Sequence, residues 1–315
     1  MLVHDLIASY RTDAASAYGK LRYRTRGNYD GLLRHIDRDL GHHDITEIRT
    51  RIITLQYQMW QMRGTYMAHA LIGMLRTLCS YGGTMLEDDA CITLAGRMGA
   101  MRFPMGKPRS SRITAGQVVA IRAEARKRGL YALALAQAFQ FDCMFRQRDT
   151  IGEWTPKTEP GESDVYCGDQ KWLRGIRWDE IDANFVLRHT TSKKQKEVEI
   201  NLTLAGMVME ELAGSEWPKH GPIIVSEATG LPYNAWEFRR QWREIARACG
   251  IADSVYNMDT RSGAISEATD MGASLELVRH AATHSDVATT ARYSRGSADK
   301  IAEVMRLRAA HREAV

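Results

Sequence analysis

The segment MDTRSGAISEATDMGASLELVRHAATHSDVATTARYSRG, residues 258–296, carries the residues whose reading decides fold and chemistry. Arg261, His284 and Tyr293 occur in it in that order, at intervals of 23 and 9 positions. An arginine presents a rigid planar fork of donors that matches phosphate oxygens. An imidazole donates a hydrogen bond or moves a proton. A phenol serves as a nucleophile once its neighbours favour the ionised form. The three together describe a pocket built around a phosphate, with a phenol aimed at it.

The rest of the chain suits a polyanionic partner. With 315 residues it is long enough for two domains with real cores. Its net charge of +5 is modest but uneven. Eight basic residues (Arg102, Lys107, Arg109, Arg112, Arg122, Arg126, Lys127, Arg128) stand against one acid, Glu124, in residues 101–130. Four more basic residues without an acid occupy residues 20–26. Such clusters suit DNA. The five cysteines include no CxxC pair, which argues against a disulfide framework or a zinc site and for a reducing cytoplasm. The first residues, MLVHDLIASYRTD, carry charge and lack the apolar run of a secretory signal. No stretch approaches the roughly 20 apolar residues of a membrane span.

Periodicity predicts a helical first hundred residues. NYDGLLRHIDRDLG reads as a helix stopping at Gly41. DITEIRTRIITLQYQMWQM reads as a helix capped by Asp44, with Ile48, Ile52, Leu55 and Met59 on its apolar stripe. GTYMAHALIGMLRTLCSYGG reads as a third, closed by its glycine pair. Met62, Met67, Met74 and Met85 read as core or packing residues. FPMGKPRSSR, residues 103–112, reads as a basic extended linker. Beyond it, Thr114 reads as the N-cap of AGQVVAIRAEARKRG, and YALALAQAFQFDCMF as a buried helix. GIRWDEID, NFVLRHTT and KEVEINL read as short strands, the last two joined as a hairpin over TSKKQ. LTLAGMVMEELAG, NAWEFRRQWREIARACG and the C-terminal segments read as helices. The fold class is mainly α with a small antiparallel β-sheet (α+β): a helical domain over residues 1–102, a linker over 103–112, and a mixed domain over 113–315 that ends in a tail helix.

The Arg–His–Tyr intervals, with the TT pair just before the tyrosine, resemble the C-terminal signature of the tyrosine recombinases (phage integrases). Two further segments fit that resemblance. FRQRDTIGEW is similar to the family's first arginine box, with Arg146 as its arginine and Asp149 at the acidic position; Arg148 is the competing choice. TTSKKQKEVEINL resembles the family's lysine-bearing hairpin and places Lys193 at the catalytic position, with Lys194 and Lys196 as alternatives. The chain departs from the pattern twice. Met258 stands where the family has a histidine three residues before the second arginine, and a thioether neither donates to a phosphate nor shuttles a proton. His280 and His189 are the possible stand-ins. Thr283 replaces the glycine that precedes the family's histidine, here His284.

The resemblance implies a site-specific DNA recombinase with a helical core-binding domain that clamps the duplex opposite the catalytic one. Tyr293 would attack a DNA phosphorus to form a 3′-phosphotyrosyl link, with Arg146, Arg261, His284 and Lys193 supplying charge and protons. It implies no cofactor, no ATP and no metal, because the phosphodiester energy is kept in the covalent link. Its implied partners are double-stranded DNA bearing an inverted-repeat core site, three further copies in a synaptic tetramer, and an accessory DNA-bending or directionality factor. Lys107, Arg109 and Arg112 of the linker, with Arg22 and Arg24, are read as cations that hold backbone phosphates. The expected location is the cytoplasm, on the nucleoid when bound to DNA, and the expected source a phage or mobile element. Two other readings use the same residues: a type IB topoisomerase-like relaxer and a non-catalytic DNA-binding relative that tolerates Met258.

Overall fold

A computed structural model describes residues 1–106, 109–214, 217–291 and residue 305. The chain divides into two compact units, Met1–Arg109 and Ser110–Val315. Within the described residues no helix is long and apolar enough to cross a membrane.

Five helices build the first unit: α1 (Val3–Thr12), α2 (Tyr23–Leu40), α3 (Thr50–Gln61), α4 (Thr65–Met85) and α5 (Asp89–Ala100). Helix α4 packs against each of the other four. Its Leu71, Ile72, Leu75 and Leu78 meet Leu6, Leu33, Ile36, Ile53, Trp60, Leu94 and Met98 in one core. Four sequence expectations are corrected here. Asp44 caps a short 3-10 turn, Ile45–Glu47, and not α3. The turn shifts the helical phase, so α3 buries Ile53, Gln56, Tyr57 and Trp60 while Leu55 and Met59 face solvent. The pair Gly82–Gly83 does not close α4 but lies inside it. A Cβ on Gly82 would stand 2.4 Å from the Cys91 sulfur, so this glycine is the notch into which α5 settles. Met74 is core, but Met62, Met67 and Met85 are exposed, Met62 by 89%.

The second unit opens with α6 (Ala115–Lys127), whose Thr114 hydroxyl accepts from the Gln117 amide as a helix cap should. Helix α7 (Tyr131–Asp142) is buried on every side because α6, α8 (Gln147–Ile151), α9 (Gly206–Ala213) and α11 (Asp259–Asp270) all pack on it. Helices α10 (Ala235–Ala248), α12 (Leu275–Ala281) and α13 (Val287–Ala291) complete the described helices. Strands β4 (Val186–Thr190) and β5 (Glu197–Asn201) form the expected hairpin, with Thr190 paired to Glu197 next to the turn. GIRWDEID is not a strand: its centre is a 3-10 turn, Trp178–Glu180, touched by single bridges at Arg177 and Ile181. A small antiparallel sheet instead lies upstream, in the order β1 (Glu153–Pro156), β3 (Gln170–Leu173), β2 (Tyr166–Cys167).

A Cβ on Gly263, in α11, would fall 1.8 Å from the Ile113 carbonyl oxygen, so only glycine lets that helix lie on the backbone entering the unit. The basic run of α6 is not one open field. Arg122 is buried and bonded to Glu210 and Glu211, Arg126 to Glu211, and Arg128 to Glu124. Those cations are already neutralised within the fold.

Candidate active site

Helix α7 runs out at Asp142, and Met144 turns the chain through a left-handed backbone (φ 51°) into α8. Arg146 is the N-cap residue of α8, at a loop-to-helix start. Its own amide donates to Asp149 Oδ2 at 3.2 Å, and its Nη1 lies 3.8 Å from that oxygen. Asp149 has no exposed surface. Its second oxygen accepts from the Ser192 amide at 2.7 Å. One buried carboxylate thus fastens the first arginine box to the end of the β4–β5 hairpin, one residue before Lys193. Lys193, Lys194 and Lys196 are all exposed on that turn.

Arg261 occupies the first turn of α11, which a layer of buried amides steadies from below. Gln137 donates to Thr260 Oγ1 at 2.9 Å and accepts from Trp242 at 2.8 Å, while Asn257 donates to Gln140 at 2.7 Å. The Arg261 guanidinium is nearly buried; it donates from Nη1 to the Met144 carbonyl and from Nη2 to the Ala282 carbonyl. It therefore ties the approach to Arg146 to the end of α12.

That end is the other half of the site. Helix α12 finishes in a turn in which the Thr283 amide donates to the His280 carbonyl and the His284 amide to the Arg279 carbonyl, both at 2.9 Å. Arg146 Nη1 donates to Thr283 Oγ1 at 3.4 Å. His284 is buried, and its Nδ1 meets Thr290 Oγ1 of α13 at 2.9 Å. Burial, and after it the charges of Arg261 and Arg146, push the imidazole from its ordinary 6.5 down to about 4. It is neutral at pH 7, with one ring nitrogen engaged by the Thr290 hydroxyl.

Arg146, Asp149, Arg261 and His284 are thus gathered into one cluster. Tyr293 and Lys107 lie outside the described residues, as does the tail helix apart from Met305. Met258 directly precedes α11 and is 69% exposed. Neither stand-in histidine touches the arginine cluster among the described contacts. His280 pairs with Glu276 and Arg279 on the surface, and His189 is buried against Glu180. Arg148 reaches Glu153 instead of the cluster. Of the cations expected at the linker and first unit, Arg24, Arg109 and Arg112 are exposed, Arg22 is half-buried at the start of α2, and Arg112 pairs with Asp270 at 2.9 Å. Sequence reasoning missed the contributions of Ser192 and Thr283, since one acts through its backbone and the other stands in a glycine's place. The TT pair was the visible signal for Thr290, although its hydroxyl role was not legible.

Residues 172–299 match the model of the phage integrase family, a span that includes Lys193, Arg261, His284 and Tyr293 and begins after Arg146. That span, about two fifths of the chain, is similar to the phage integrases, the tyrosine recombinases. Its fold is similar to that of a lambda integrase dimer bound to a COC′ core site, at 18% identity, with 94% of this chain and 96% of that one covered and a TM-score of 0.73. It is similar also to the Tn1549 transposon integrase in complex with circular intermediate DNA, at 11% identity, with 97% and 99% covered and a TM-score of 0.67. A lambda integrase tetramer bound to a Holliday junction matches at 17% identity, with 91% and 78% covered and a TM-score of 0.69. No curated protein sequence matches closely enough to count as a relative.

Proposed function

We propose that the protein is a site-specific DNA recombinase, a strand transferase that cleaves and rejoins DNA through a 3′-phosphotyrosyl intermediate. The observation that carries this reading is the convergence of Arg146, Arg261 and a neutral His284 on one turn, residues 282–284. Two guanidiniums and an imidazole fixed before substrate arrives suit the negative charge that grows on the equatorial oxygens of a phosphoryl transition state. The Tyr293 oxygen attacks phosphorus and its proton leaves to solvent. The bond from phosphorus to the 5′ oxygen breaks, and the Lys193 ammonium protonates that oxygen. A 5′-hydroxyl from the same or a second duplex then reverses the step and releases the tyrosine.

The substrate in this reading is double-stranded DNA with an inverted-repeat core site, probed by two units that clamp it. Four copies assemble for strand exchange, helped by an accessory DNA-bending or directionality factor, in the cytoplasm of a cell carrying a phage or mobile element. The proteins with similar folds are integrases solved on DNA, one as a tetramer on a Holliday junction, and this supports the reading. The exposed Met258 favours one rival, a relative that binds DNA without cutting it.

The test is covalent trapping. A labelled duplex from the DNA flanking the gene, nicked near the cleavage position, should give a protein–DNA adduct on a denaturing gel. Tyr293→Phe should abolish it. No adduct from any flanking site would leave the binding-only reading in possession. Adduct and plasmid relaxation without exchange between two duplexes would mark a topoisomerase-like relaxer.

A further inference from the structure

Thr283 is a β-branched residue in a left-handed backbone, φ 52°. Branched side chains avoid that region, and helix ends that need it take glycine or asparagine. The backbone there is set by the cap of α12: the Thr283 amide bonds to His280 and the His284 amide to Arg279, whatever side chain residue 283 carries. The side chain is therefore an addition to a turn that glycine would make more easily. It is buried, and its hydroxyl lies 3.4 Å from Arg146 Nη1. The same Nη1 has the Asp149 carboxylate at 3.8 Å. Ala282, one residue earlier, accepts from Arg261, and His284 is the next residue.

We propose that Thr283 is a positioning residue for Arg146, its hydroxyl holding the guanidinium out over the phosphate pocket against the pull of the Asp149 carboxylate. Three consecutive residues then each orient one member of the cluster: Ala282 through its carbonyl, Thr283 through its hydroxyl and His284 as itself. Glycine at 283 would keep the turn and leave Arg146 with the carboxylate alone. The inference rests on the strand-transfer reading above, because only that reaction gives the arginine something to be positioned for.

The experiment compares the full-length parent with Thr283→Gly, Thr283→Ser and Thr283→Val on a supercoiled plasmid carrying the DNA that flanks the gene. It measures the rate of covalent adduct formation at saturating plasmid, the half-saturating plasmid concentration and the thermal midpoint. A hydroxyl contact of this kind predicts that Thr283→Gly and Thr283→Val react about tenfold more slowly at saturation. Half-saturation should hold in both, the midpoint of Thr283→Gly should be no lower than the parent's, and Thr283→Ser should keep the parental rate. A Thr283→Gly protein as fast as the parent overturns the inference alone. So does a Thr283→Ser protein as slow as Thr283→Val. A parent that forms no adduct overturns the reading of the site, and the inference with it.

Discussion

Replacing Asp149 with asparagine isolates the group that brackets the site. The carboxylate is fully buried and accepts from two main-chain amides, Ser192 at 2.7 Å and Arg146 at 3.2 Å. A hydrogen bond to a charged partner contributes about 1.5–3 kcal/mol, and a buried donor left without one costs about 1–3 kcal/mol. Asparagine keeps a single acceptor oxygen and turns an NH2 toward the other amide. One bond is lost and one buried N–H is orphaned, so the expected loss for Asp149→Asn is about 3 kcal/mol. Alanine removes both acceptors, and Asp149→Ala should lose about 5 kcal/mol. Guanidinium unfolding followed by tryptophan fluorescence measures this, because six of the seven tryptophans lie in the second unit. Since the carboxylate holds both Arg146 and the hairpin, adduct formation by folded Asp149→Asn should also fall by about 10²-fold. An unfolding free energy within about 0.5 kcal/mol of the parent's would refute the reasoning, since ordinary surface changes lie in that range.

The neutral His284 makes stability pH-dependent. Its folded pKa of about 4 lies below the ordinary 6.5, so the unfolded chain binds more protons between those values. Stability from this group is complete above pH 6.5 and is lost as pH falls toward 4; urea midpoints should drop across that window and drop less in His284→Gln. Gly263→Ala should destabilise the second unit by about 3 kcal/mol, because the added carbon collides with the Ile113 carbonyl; a midpoint equal to the parent's in urea would show that α11 can back away. Met258→His restores an acid/base group at an exposed position, so it should leave the thermal midpoint unchanged and raise the rate of adduct formation by at least about tenfold.

Much of this site was legible because its chemistry is written as spacing. Arg261 and His284 stand at an interval set by a helix, a turn and a second short helix, and Arg146 with Asp149 three residues on is a loop-to-helix start. The apolar run of α7 and the β4–β5 hairpin were readable for the same reason: period and turn residues follow the local backbone. The β1–β3–β2 sheet was not readable, since strands of two to four residues leave no alternation to detect. The stripe drawn through Ile48, Ile52, Leu55 and Met59 held at Ile48 and Ile52 and failed at Leu55 and Met59, because a 3-10 turn breaks the helical phase before α3 begins. Arg122 reads as a DNA-facing cation until its burial against Glu210 and Glu211, nearly ninety residues away, is seen. Such long-range pairing has no trace in local sequence. Thr283 is the reverse case: its departure from the family pattern was plain, and only the geometry gave it a partner.

The Asp149 bracket grips main-chain amides, and every residue except proline supplies one. At position 192 this grip is made by the main chain and not by the side chain. A scaffold held this way lets sequences drift far apart while the architecture survives, in keeping with a fold shared at 18% identity over nearly the whole chain.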